Sequence, residues 1–201
     1  MPFNNKRKIT SAGIKIKYNN ALLVKCKIIC KGVGNVIEFG VNSTFRNCSF
    51  YICGNNNVIR IGSNCFAKNA QFHIEDCNNS IVVGDKTAFC GKIHLAAIEG
   101  TKIEIGNNCL LSSEIVFRTG DSHSLLNMDG ERINPSQDIV IGNKVWIGHK
   151  VMINKGVAIA DDSMIGSGAI VTKKFTQQNV VIAGVPAKII KENITWTSER
   201  I

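Results

Sequence analysis

Between Ile141 and Phe175 an aliphatic residue returns at every sixth position: Ile141, Ile147, Ile153, Ile159, Ile165 and Val171. Helices bring side chains back every 3.6 residues and strands every two, so neither period explains a beat of six. The segment divides into the hexads IGNKVW, IGHKVM, INKGVA, IADDSM, IGSGAI and VTKKFT. The second position is small in most, and the fifth is Val, Val, Val, Ser, Ala and Phe. Three short strands joined by three turns satisfy this pattern. They make a triangular coil of 18 residues whose inward side chains stack on those of the coils above and below. Each coil pairs its backbone with its neighbours, so no repeat is stable alone.

A second repeat lies upstream, with a period of 22. Glycine recurs at 40, 62, 84 and 106, preceded by Phe39, Ile61, Val83 and Ile105. Inside each unit the beat of six persists, as in Ile105, Leu111 and Phe117, so 22 reads as three hexads plus four residues at one corner. Asn, Gly and Asp crowd between the aliphatic positions, as tight turns demand. A helix is excluded because apolar spacing at i, i+3, i+4, i+7 is not sustained and the region is rich in Gly, Asn and β-branched residues. A leucine-rich repeat would need a leucine–asparagine consensus that is absent. The pattern predicts an all-β chain: a parallel β-helix over 35–191. Residues 1–34 are expected to form an N-terminal cap or irregular first coil, and 192–201 a short C-terminal tail.

The beat is lost between Phe117 and Ile139, across "RTGDSHSLLNMDGERINPSQD". This predicts an excursion loop at about 118–138. Loops leaving a rigid scaffold are where reactive groups tend to sit. This one carries His123, flanked by Asp121 and Ser122. His73 shares a repeat column with Tyr51, Leu95 and Phe117 and is expected to point inward or to a corner, in a structural role. His94 falls at an outward position one coil before Phe117–Ser122, where it lines an acceptor groove or lies plainly on the surface. His149 also faces outward. No two of these histidines stand close together in the chain, as a zinc set on such a scaffold would need, so no metal is expected.

The formal net charge is +9. A positive field suits nucleic acid, anionic lipid or a phosphorylated small molecule. With only 6% aromatic residues and no recognised motif, nucleic acid is not expected as a partner. The eight cysteines all lie at or before Cys109 and form no C-x-x-C pair, which predicts reduced core or ladder residues. No apolar run is long enough to span a membrane, and the opening "MPFNNKRKITSAGIKIKYNN" lacks the apolar stretch of a secretory signal. A cytoplasmic location is the expectation, and the basic charge suits peripheral contact with an anionic inner membrane.

The hexads of 135–191, with the "WIG" at 146–148 and "GVPAK" at 184–188, resemble those of the hexapeptide-repeat acyltransferases. The resemblance implies a left-handed β-helix, against the usual right-handed crossover. It also implies a homotrimer with sites between prisms, and acetyl-CoA as co-substrate. His123 matches the catalytic base of the sugar acetyltransferases. The maltose and galactoside types usually have proline after that histidine, where this chain has Ser124, and they carry a helical N-terminal segment that 1–34 does not resemble. "DSHS" looks more like the O-acetyltransferases of surface polysaccharide synthesis, capsule or lipopolysaccharide.

The implied reaction is transfer of acetyl from acetyl-CoA to a sugar hydroxyl of a surface polysaccharide or its precursor. A thioester is already activated, so a base titrating near neutrality and an oxyanion donor suffice. Carried over by position, the donor is the backbone N–H of His149, with Asp121 or Glu114 orienting the imidazole. The coenzyme contacts are Trp146, His149, Ser167, Thr172, Lys173, Lys188 and Lys191. Trp146 would border the acetyl end, and Trp146, His149, Ser167 and Lys173 would fall along one groove. Ser167 lies 18 residues after His149, so the two stack on one edge of the prism. Two alternatives remain open at this stage: N-acetylation of an aminosugar nucleotide, and a non-enzymatic structural β-helix. The latter needs a regular outward array of Thr or Ser, whereas the outward positions here are mixed and basic.

Overall fold

The computed structural model describes residues 5–10, 13–199 and 201. Every regular element among them is a strand, and the strands wind round a triangular prism. The first face stacks Lys6–Ile9, Lys27–Lys31, Ser49–Cys53, Ala70–Glu75, Ile93–Ala97, Ile115–Arg118, Met152–Ile153 and Ile170–Val171. The second stacks Lys15–Lys17, Val36–Phe39, Val58–Ile61, Ser80–Val83, Lys102–Ile105, Ile139–Ile141 and Ala158–Ile159. The third begins at Leu22–Val24 and runs through Thr44–Arg46, Phe66–Lys68, Ala88–Phe89, Leu110–Leu111, Trp146–Ile147 and Met164–Ile165 to Val181–Gly184. All neighbours are parallel except the last, where Ala187–Lys191 folds back antiparallel on Val181–Gly184. The fold is a left-handed parallel β-helix with an excursion loop and a short C-terminal tail.

The inward stack follows the aliphatic beat. Ile105, Ile141 and Ile159 lie in register on the second face, and Leu111, Ile147 and Ile165 on the third. The corners need left-handed backbone, which explains the asparagines: Asn42, Asn64, Lys86, Asn108, Lys144 and Asp162 all have positive φ at the corner from the second face to the third. At the same corner Ser43, Cys65, Thr87 and Cys109 form one column. Each donates to a glycine carbonyl of the next coil: Gly62, Gly84, Gly106 and Gly142. Thiol and hydroxyl alternate in one role there. Five of the eight cysteines are buried, and none forms a disulfide among the described residues.

The extra residues of the wider upstream coils sit at the corner from the first face to the second. There Asn35, Asn57 and Asn79 build a buried ladder. Each Oδ1 accepts the N–H of the next rung: Asn57, Asn79 and Thr101. The ladder ends where the Thr101 hydroxyl donates to that of Thr119, 2.6 Å away. The strands Lys6–Ile9, Lys15–Lys17, Leu22–Val24 and Lys27–Lys31 continue the same three faces.

One expectation needs correction. On the first face the register step is 22 between Phe50 and Phe72 but 23 between Phe72 and Leu95. An extra residue enters around Cys90–Lys92, and one fewer follows at the next corner, so the other two faces keep their period of 22. His73 therefore pairs with Ala96, not Leu95, and its side chain lies on the outer surface beside Tyr51.

Candidate functional site

The excursion leaves at the corner from the first face to the second, directly after Arg118, and rejoins at Ile139. Its root is firm. Thr119 is fully buried, its hydroxyl accepts the Ile98 N–H, and its carbonyl accepts the Gln137 N–H at 2.8 Å. A Cβ at Gly120 would run into Ser136 Oγ and the Ile98 side chain, which would have to move, so glycine lets the two limbs close here without displacing them.

Asn134 clamps the loop. Nearly buried, it donates through Nδ2 to the His123 carbonyl and to Asp121 Oδ2, both at 2.8 Å, while its Oδ1 accepts the Leu125 N–H at 2.7 Å. Lys155, from the coil below, pairs with Asp121 and donates to the Asn134 carbonyl. Arg132 forks onto Glu99, which also accepts from Ser136. The backbone of His123 is thus pinned on both sides. Its imidazole stands exposed, with no hydrogen bond among the described residues. The Lys155 hydrogen bond, then the Asn134 amide, hold the Asp121 carboxyl below the usual carboxylate range. Asp121 is turned to Lys155 and Asn134; within one chain it does not meet the His123 ring.

His149 lies at another corner, from the third face to the first. Ser113 meets its Nδ1 through both hydroxyl (2.8 Å) and carbonyl (3.1 Å), and Glu114 lies 3.8 Å from Nε2. The His149 N–H donates to Ser167 Oγ at 3.1 Å, so these two do stack on one edge. Lys173 does not join them. Thr172–Lys174 lie between the strand at 170–171 and Phe175, which bridges to Ile159 on the second face, placing them at the excursion's corner. There Lys173, Lys174 and Lys188 line a groove of about 430 Å³ with Phe175 and Ile189. Lys191 is exposed on the final strand. The single groove expected from the sequence is therefore split between two corners.

Trp146 is on the outer third face, in register with Leu110 and Met164. The tail covers it: the Trp196 ring is 6.0 Å away, and the Trp196 indole donates to the Lys144 carbonyl at 2.8 Å. His94, on the outer first face, donates from Nδ1 to Gln71 Oε1, 3.1 Å away. Burial, then the charges of His73 and Arg118, hold His94 below its ordinary value. His73, Glu75, His94, Arg118 and Ser122 line a groove of about 240 Å³ that reaches the residue before His123.

Sequence reasoning missed Asn134, Lys155 and the outward His73. Asn134 stood in view as the Asn of "INP" inside a turn-rich stretch, but nothing in the sequence paired it with His123. Lys155 is one basic residue among many until the coils are stacked.

Residues 138–173 match the bacterial transferase hexapeptide (six repeats) family. Galactoside O-acetyltransferase of Escherichia coli (strain K12) is 42% identical over 106 residues, covering 52% of this chain and 51% of that protein. Polysialic acid O-acetyltransferase of Neisseria meningitidis is 36% identical over 107 residues, covering 53% of this chain and 49% of that protein. The chain thus spans about half the length of the curated relatives it matches. The crystal structure of the polysialic acid O-acetyltransferase OatWY superposes over 100% of this chain and 90% of that one, with a TM-score of 0.85 and 31% identity.

Proposed function

The chain belongs to the hexapeptide-repeat acyltransferase superfamily, and from that premise we propose that it is an acetyl-CoA-dependent O-acetyltransferase acting on a sugar hydroxyl of a surface polysaccharide or its precursor. The observation that carries the reading is the excursion. Among the described residues an otherwise continuous solenoid is interrupted here, and the interruption pins the backbone of His123 while leaving its imidazole free. Sugar and polysialic acid O-acetyltransferases among the relatives support the acceptor class.

His123 takes the proton of the sugar hydroxyl as its oxygen attacks the thioester carbon. The developing oxyanion takes the His149 N–H, displacing the Ser167 hydroxyl that occupies it in this structure. The C–S bond then breaks, and the coenzyme leaves as a thiol with the proton held by the imidazolium. Asp121 serves by holding the loop through Lys155 and Asn134. Lys173 and Lys188 meet the coenzyme's phosphates, with Lys191 and Thr172 beside them, and Trp146 borders the acetyl end. No metal takes part.

His123 and His149 occupy different corners, so a base and an oxyanion donor meet only across two copies of the chain. A homotrimer with sites between prisms satisfies this. Leu22, Thr44, Phe66, Ala88, Leu110, Trp146 and Met164 form a column on the outer third face that is apolar except at Thr44, and the excursion exposes Leu125, Leu126, Met128 and Ile133. Such surfaces suit packing between prisms.

The test is labelled acetyl transfer to a panel of surface-polysaccharide oligosaccharides and aminosugar nucleotides. His123→Ala is expected to lower turnover about 10²- to 10⁴-fold, while acetyl-CoA still raises the melting temperature of the variant. Undiminished turnover overturns the base. Acetylation of amines alone moves the acceptor to aminosugar nucleotides, and no stabilisation by acetyl-CoA points to a structural β-helix.

A further inference from the structure

Among the described residues, exposed cations on the outer surface of the first face are left unpaired, as Arg46 and Lys68 are on the third, whereas the second pairs most of its charges. On the second face Glu38 is paired with Lys17 and Arg60, and Lys102 with Glu104. At the corners Lys144 meets Asp162 and Lys155 meets Asp121. On the first face the side chains of Lys27, Lys31 and Arg118 are exposed and have no hydrogen-bonding or ion-pairing partner among the described residues. One outward carboxylate, Glu75, shares this face and lies 3.2 Å from His73 Nε2. Three cations against one carboxylate leave the face with net positive charge among the described residues.

Between those cations the same surface is paved with rings. Tyr51 and His73 stack with centroids 4.6 Å apart at 15°, and His94 follows at 5.8 Å. The register places Ile29, Tyr51, His73, Ala96 and Arg118 in one line along the prism axis, with Lys27 and Lys31 flanking Ile29 on its strand. Four steps of ~4.8 Å make this line about 19 Å long, the length of about four sugar residues. Its lower end opens into the groove of about 240 Å³ beside Ser122, next to His123. Rings stacked on one another along the axis turn their edges outward, so the Tyr51 hydroxyl and the imidazole nitrogens of His73 and His94 are placed to hydrogen-bond sugar hydroxyls, and unpaired cations at either end attract carboxylates.

We propose that this face is an acceptor track for an extended acidic glycan lying along the prism axis. The glycan hydrogen-bonds to Tyr51, His73 and His94, with its acidic groups at Arg118 near the reacting hydroxyl and at Lys27 and Lys31 toward the far end. The proposal rests on the acetyltransferase reading for its purpose, but its test does not need turnover.

Defined oligogalacturonates and oligosialates from dimers to octamers, with neutral malto-oligosaccharides of equal length, are titrated into the full chain without acetyl-CoA, at two salt concentrations. Affinity for the acidic oligomers is expected to rise with length, level off near the pentamer and fall with salt. Lys27→Ala with Lys31→Ala, and separately Tyr51→Ala, should weaken the longest oligomers about tenfold and leave dimers unchanged. Thermal melts check that these surface variants stay folded. Length-independent affinity, or undiminished binding of long oligomers by the lysine variant, overturns the track, and equal binding of neutral oligomers overturns the acidic class. Length-dependent acidic binding by a chain that transfers no acetyl group would sustain the track and sink the enzymatic reading.

Discussion

The coils before the excursion and those after it are two gauges of one prism. The wide coils repeat with a period of 22 and keep strands of up to six residues on the first face. In the hexad coils the strands at 146–147, 152–153, 164–165 and 170–171 shrink to two. The six bulkiest fully buried side chains, Phe39, Phe45, Phe50, Phe72, Phe89 and Phe117, all lie in the wide half. The narrow half is filled by Ile147, Ile153, Ile159, Ile165 and Val171. A wider cross-section needs larger side chains to reach close packing. It also buries more corner backbone, which the Asn35–Asn57–Asn79 ladder satisfies. The excursion sits at the junction of the two gauges, at the same corner as the ladder. The narrow half offers main-chain positions such as the His149 N–H, and the wide half offers a broad outer surface with His73 and His94.

Core truncation should separate the two halves most. Phe72 stacks on Phe50 at 5.0 Å and meets Phe89 at 5.8 Å. Phe72→Ala is expected to cost about 3–5 kcal/mol, against about 0.5–1.5 for Ile153→Val in the narrow half. In a stacked repeat such a loss can split unfolding into two steps. Urea denaturation followed by circular dichroism and by Trp146/Trp196 fluorescence would show the wide half melting first. Coincident transitions by the two probes would mean that the two gauges unfold as one unit.

A smaller effect is expected in the ladder. Asn57→Ala leaves the Asn79 N–H and the Asp76 carbonyl without their partners, at about 1–3 kcal/mol. Amide exchange at Asn79 should quicken, while exchange at Ile153 stays as it was. Unchanged exchange at Asn79 would mean that the ladder is incidental to the wide gauge.

The smallest effect concerns the junction and appears only with pH. The folded pKa of Asp121 lies below its unfolded value, because Lys155 and Asn134 favour the carboxylate. Its contribution to loop order is present above the ordinary aspartate value of about 3.9 and is lost as pH falls through the folded value. Exchange of the Leu125 amide, held by Asn134, should therefore quicken on acidification. Asp121→Asn should remove that dependence; an unaltered pH profile in the variant would free Asp121 of any part in holding the loop.

Much of this was legible in one dimension, because a solenoid is close to one-dimensional. Each aliphatic position reports its own place in the stack, so the beat at Ile141–Val171 and the glycines at 40, 62, 84 and 106 reveal the coils without knowledge of distant contacts. A break in the beat is as visible as the beat, which is why the excursion and His123 stood out. Counting failed at His73, where one residue gained at a corner is offset by one lost at the next, and a sum over the whole coil conceals both changes.

The sequence by itself determined the strand class, the stacked coils, the place of the interruption and the histidine within it, since all of these follow from periodicity along the chain. Only the tertiary structure decided which corner each residue occupies. It parted His149 and Ser167 from Lys173, laid Trp196 over Trp146, and turned Asp121 to Lys155. The reason is physical: corners, clamps and faces depend on which residues the winding of the prism brings side by side, and those partners lie 18 to 52 residues apart in the chain.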